Sequence, residues 1–77
     1  MRIEVLGPGC QRCRLTEENV KKALRDLQKE AEVVKITDVE QIIERGVVQT
    51  PAVAIDGKIV IQGRVPEVEE IKKAISS

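Results

Sequence analysis

Seventy-seven residues carry 13 Lys and Arg against 13 Asp and Glu, with two cysteines, no histidine and no aromatic side chain. A chain this short has room for one modest core and no second lobe, and balanced charge without stacking rings excludes a general nucleic-acid binder. The apolar run Ile3 to Leu6 is broken by Glu4, too short for a membrane span or a secretion signal, so the expected partners include neither nucleic acid nor membrane.

Arg2 to Leu6 alternates and is β-branched, and Gly7-Pro8-Gly9 stops it, which predicts a first strand ending in a tight loop. From Cys10 to about Ala31, the apolar positions Cys13, Val20, Leu24, Leu27 and Ala31 recur on one helical stripe, predicting a helix of about five turns. Leu15 falls on its opposite side and is expected to be partly exposed. Glu32 to Ile36 reads as a second strand, parallel to the first because a helix separates the two. Thr37 with Glu40 fits a capping box opening a short helix that buries Val39, Ile42 and Ile43 and stops at Gly46.

Asp56-Gly57, flanked by Val53-Ala54-Ile55 and Ile59-Val60-Ile61, is a hairpin signal, and Gly63 ends its second strand. Pro66 suits the first turn of a last helix with Val68, Ile71 and Ile75 facing inward, acids early and Lys72 and Lys73 late. The order strand, helix, strand, helix, strand, strand, helix defines one α/β domain over residues 1–77, with a mixed four-stranded sheet flanked by helices.

The chemistry concentrates in Cys10-Gln11-Arg12-Cys13 at the start of the long helix. Cysteines three apart at a helix start can close a disulfide within one turn, and the unpaired N–H groups and positive dipole end stabilise a thiolate at Cys10. Arg12 and Arg14 add to that field, and Gly9 lets a partner backbone approach the sulfur. As a staple the pair is poor, since closing so short a loop restricts the unfolded chain by only about 2 kcal/mol. The reducing cytoplasm, the address a chain without a leader is expected to take, also keeps thiols apart.

This succession, strand, Gly-Pro-Gly-Cys-Gln-Arg-Cys, helix, then Thr50-Pro51 before a hairpin and a final helix, resembles the thioredoxin fold over the whole chain. More narrowly, it resembles the small, glutaredoxin-sized, thioredoxin-like redox-active disulfide proteins. The resemblance implies a thiol–disulfide oxidoreductase acting on protein disulfides, with Cys10 the exposed nucleophile and Cys13 the resolving thiol. It implies a cis Thr50–Pro51 bond, with the backbone beside Thr50 pairing with the substrate chain. It implies no resident cofactor, an external disulfide reductase as electron donor, and a monomer.

Glu4 stands six residues before Cys10, where many thioredoxins carry a buried acid that moves protons for the resolving thiol; a sheet-edge or surface carboxylate is the plainer reading. Gln11-Arg12 replaces the Gly-Pro of ordinary thioredoxins. Gly63-Arg64-Val65-Pro66 offers one glycine and a base where glutaredoxins present Gly-Gly and an acid, leaving a glutathione site incomplete. Arg64 reads either as a solvated loop residue or as a contact for an acidic partner. The alternative function is a soft-metal, copper(I) module using the same two thiolates. Against it stand an order that finishes on a helix and a Thr50-Pro51 such modules do not use.

Overall fold

A computed structural model describes residues 1–9 and 11–76; Cys10 and Ser77 lie outside the described residues. The elements are β1 (Arg2–Leu6), α1 (Gln11–Asp26), β2 (Glu32–Ile36), α2 (Val39–Glu44), β3 (Ala52–Ile55), β4 (Lys58–Gln62) and α3 (Val68–Ser76). They form a mixed four-stranded sheet in the order β2-β1-β3-β4, with β1 parallel to β2 and the other neighbours antiparallel. This is the mixed-sheet α/β architecture that the element order predicts, and it agrees with the thioredoxin-like fold that the resemblance implies.

Alternation along the strands divides the core in two. Ile3, Val5, Val53 and Ile61 face Val20, Ala23 and Leu24 of α1 and Ile71 and Ile75 of α3. On the opposite face, Leu6, Ala52 and Ala54 meet Ile42 of α2 and Val47. With no aromatic ring available, both layers are built from aliphatic side chains, whose branched shapes fill space at low entropy cost.

The structure corrects four local expectations. First, α1 stops at Asp26 rather than near Ala31. Gln28 takes a left-handed φ of 53°, its N–H donates to the Arg25 carbonyl, and the Lys29 N–H donates to the Leu24 carbonyl. This is a Schellman cap formed without glycine. Leu27 and Ala31 still pack on the core, from the connection and not from the helix.

Second, Asp38 and not Thr37 caps α2, its side chain accepting from the Glu40 N–H at 2.9 Å. Third, only Ile42 of the three apolar α2 residues is buried; Val39 and Ile43 are 57% and 65% exposed. A helix of six residues is under two turns and meets the sheet along one line. Its C-terminal end follows expectation: Gly46 donates to Ile43, Val47 donates to Ile42, and Ile42 and Val47 pack in one cluster.

Fourth, Pro66 and Glu67 precede α3. The Pro66 carbonyl accepts from Asn19 Nδ2 at 2.8 Å, so α1 takes the group that a further helical turn would need. Glu70 reaches back to accept from the Glu67 N–H at 3.2 Å and receives two bonds from Arg64. Those contacts hold the Glu70 carboxyl down at about 2, with the Arg64 bonds the larger cause. Arg64 is therefore an exposed loop residue, as one of the two readings has it, but its guanidinium is already engaged by an acid of its own chain rather than free for an acidic partner.

Candidate functional site

The site assembles where β1 ends and α1 begins. Gly7 extends the β1–β2 ladder by one step, its N–H donating to the Ile36 carbonyl at 2.9 Å. Gly9 follows with φ +86° and open space around the position a Cβ would take. Glycine is needed there by the backbone and not by crowding. Gly7 is the reverse case, for a Cβ on it would fall on the Cys13 sulfur and lie 3.8 Å from the Thr50 Cβ.

Gly7, Cys13 and Thr50, 37 residues beyond Cys13 in sequence, thus converge on one point. The Thr50–Pro51 peptide bond is cis. Cys13 sits in the first turn of α1, 6% exposed. Helical periodicity turns it inward with Val20 and Leu24, and the missing side chain at Gly7 leaves room for its sulfur. Behind it the fully buried Thr16 hydroxyl donates to the Arg12 carbonyl at 2.9 Å, satisfying itself within the helix.

A pocket of about 160 Å³ opens beside Cys13, lined also by Val5, Gly7, Gly9, Arg14, Lys35 and Thr37. Arg12, exposed like Gln11 before it, reaches across to the Gly63 carbonyl at 3.4 Å, and the Gly63 N–H donates to the Pro51 carbonyl at 3.0 Å. The first turn of α1, the Thr50–Pro51 segment and the end of β4 are therefore tied through one residue.

Of the sequence-derived site residues, Gly9 and Cys13 line the pocket, Thr50 meets Cys13 at Gly7, and Arg12 is joined to Pro51 through Gly63, while Gln11 is exposed at the start of α1. Cys10, named as nucleophile and as the thiolate at the helix end, lies outside the described residues. Glu4 faces the other way. It stands on β1 between β2 and β3, on the α2 side of the sheet, with its register partner Ala54 in that layer.

The Glu4 side chain is 7% exposed and accepts two bonds from Arg45, at 2.7 and 2.6 Å, with Arg2 at 4.0 Å. The sheet-edge and surface readings of Glu4 are both overturned, because the strand is central and the carboxylate is buried. Its pKa is held below the ordinary value of 4.5, first by the Arg45 hydrogen bonds, which outweigh the upward push of burial, and then by the charges of Arg45 and Arg2.

Sequence reasoning missed three participants: Gly7 as the residue that accommodates the Cys13 sulfur, Arg45 as the partner of Glu4, and Gly63 as a junction. The pattern around Gly7 and Gly63 signals loops and strand ends equally well, and nothing local to Arg45 marks it. Among the described residues, no group of three or more His, Cys, Asp or Glu is placed to hold a metal ion.

Comparison with known proteins adds the family. The sequence matches the family described as Thioredoxin domain over residues 1–76. It is 51% identical over 75 residues to a protein named Thioredoxin from Methanocaldococcus jannaschii, covering 97% of this chain and 86% of that one. It is 42% identical over 76 residues to a protein named Thioredoxin from Methanothermobacter thermautotrophicus, covering 99% of each.

Proposed function

The chain belongs to the thioredoxin domain family, whose chemistry is thiol–disulfide exchange, and on that footing we propose that residues 1–77 act as one domain that reduces disulfides of partner proteins through Cys10 and Cys13. The Cys10 thiolate attacks one sulfur of the substrate disulfide, that S–S bond breaks, and one substrate thiolate leaves and takes a proton. Cys13 then attacks the Cys10 sulfur of the mixed disulfide, the second substrate thiol departs, and the Cys10–Cys13 disulfide remains. Two electrons have passed to the substrate. An external disulfide reductase, drawing on NADPH or a related donor, returns them.

The pair carries the electrons itself, so no resident cofactor enters. The observation that carries the reading is the seat of Cys13: a sulfur in the first turn of a helix, nearly closed off from water, against Gly7 and beside Thr50. That seat suits a thiol that attacks an adjacent sulfur in its own chain and is kept from attacking partners directly.

The relay role that the resemblance gives Glu4 asks for a carboxyl able to take up a proton near neutral pH. The Arg45 pair works against that, and we assign Glu4 a structural role in the α2-side core. No helix among the described residues is long and apolar enough to cross a membrane, and the reading places the protein in the reducing cytoplasm as a monomer.

The test is covalent trapping. Cys13→Ser is expected to accumulate mixed disulfides with protein substrates through Cys10, and Cys10→Ser is expected to accumulate none. Equal trapping by the two variants would reject the assignment of roles.

A further inference from the structure

The Thr50–Pro51 bond closes a segment, residues 47–51, that leads from the end of α2 into β3. Val47 is buried in the α2-side core, whereas Val48 is 88% exposed, the most exposed large apolar side chain among the described residues. An exposed valine on a slack loop would mean little. This backbone is not slack. Both successive N–H groups, of Val48 and Gln49, donate to the same oxygen, Gln62 Oε1, at 2.8 and 3.3 Å.

Gln62 is the last residue of β4 and pairs in register with Ala52, so the loop is referred to the rigid sheet one residue past the proline. The next residue completes the attachment. Gly63 carries no side chain where the Gln49 side chain lies over it, so a Cβ there would run into Gln49. The Gly63 N–H holds the Pro51 carbonyl, and its own carbonyl accepts from Arg12, between the two cysteines.

We propose that Gln62 is a positioning residue for protein substrates: by accepting from the Val48 and Gln49 N–H groups, it holds the segment before Pro51 in the shape that meets a partner chain, with Val48 as its apolar contact. The inference rests on the oxidoreductase reading and names the surface by which that site recognises a protein disulfide. Two backbone donors that would otherwise turn to water or to the incoming chain are occupied, leaving the Val48 side chain pointing outward on a fixed frame. A partner with an apolar side chain near its disulfide buries Val48 without first ordering the loop, which lowers the cost of association.

The chemistry of the acceptor separates this role from plain packing. Gln62→Glu keeps an oxygen able to accept both N–H groups, whereas Gln62→Met keeps the length and loses the acceptor. The experiment measures steady-state reduction of a protein disulfide, with a small aromatic disulfide as second substrate for the wild type. Gln62→Met is expected to raise KM for the protein disulfide about fivefold with kcat within about twofold, and Val48→Ser is expected to raise KM in the same direction. Gln62→Glu is expected to restore KM to within about twofold of wild type. Far-UV circular dichroism confirms that each variant is folded at the assay temperature.

An unchanged KM in Gln62→Met, or an equal rise in Gln62→Met and Gln62→Glu, overturns the proposal. A wild-type protein that reduces neither substrate rejects the oxidoreductase reading itself and this inference with it. Reduction of both by the wild type with no effect of any of the three variants rejects this inference alone.

Discussion

Two glycines two residues apart are required for different reasons, and the difference can be measured. Adding a methyl group at Gly7 places it on the Cys13 sulfur and near the Thr50 Cβ. Cys13 is fixed by α1 and is 6% exposed, so the sulfur cannot simply turn into solvent, and either the first turn of α1 or the loop must shift. Overpacking of this kind costs about 1–3 kcal/mol. For a domain of this size that corresponds to a fall in Tm of roughly 5–20 °C.

Gly9→Ala meets no atom within 4 Å and is penalised only through its φ of +86°, by about 1 kcal/mol. The discriminating assay is a double-mutant cycle with Cys13→Ala, read by urea unfolding followed by far-UV circular dichroism under a dithiol reductant. The chain has no Trp, Tyr or Phe for fluorescence. Removing the sulfur makes room for the new methyl, so Gly7→Ala is expected to cost less than about 0.5 kcal/mol in the Cys13→Ala background, a coupling of about 1–2 kcal/mol. Whatever Cys13 loses on its own cancels in the cycle. Gly9→Ala is expected to show no coupling. A Gly7→Ala protein as stable as wild type, or one whose loss is unchanged without the sulfur, would refute the close approach of Gly7 to Cys13.

Other consequences concern the rest of the frame. Arg45→Ala leaves the Glu4 carboxylate buried without its two bonds; with Arg45 itself 30% exposed, the cost near neutral pH is expected below that of a fully buried pair, at about 2–3 kcal/mol. Because the folded Glu4 pKa is depressed, the pair contributes fully above the ordinary value of 4.5 and is lost as pH falls through the lower folded value. The gap between wild type and Arg45→Ala in urea titrations should therefore narrow on acidification, and a constant or widening gap contradicts the pairing.

Gln28→Gly relieves a left-handed φ of 53° at the end of α1 and is expected to raise stability by about 0.5–1 kcal/mol, net of the looser unfolded chain. A lower Tm would argue against the cap. On α2, Ile42→Ala is expected to cost about 2–4 kcal/mol, while Ile43→Lys stays within about 0.5 kcal/mol of wild type. The opposite ranking in denaturant titrations would mean that the other face of α2 meets the sheet.

Periodicity and turn chemistry determine the number, type and order of the elements, because each signal is local: alternation in β1, the stripe through Val20 and Leu24, and Asp56-Gly57 between two apolar runs. The same local signals put Cys13 in the first turn of a helix after a glycine loop, and Thr50-Pro51 before a hairpin. Exact helix ends are harder to read, since a cap depends on which residue tolerates a left-handed φ. Here Gln28 takes that role without the usual glycine signal.

Burial on α2 is also not a local property. Val39, Ile42 and Ile43 are alike in composition, and only the position of the sheet decides that Ile42 alone is covered. Tertiary structure alone brings Arg45 onto Glu4, 41 residues away, turning a strand carboxylate that reads as an edge or surface group into a buried ion pair. It alone sets Gly7 against the Cys13 sulfur beside Thr50, and Gln62 beneath the loop that leads to Pro51. The chemistry-bearing residue types are legible in the chain because reactivity depends on composition and spacing. Their supports are not, because a backbone group or an empty Cβ position acquires its partner only when distant segments pack together.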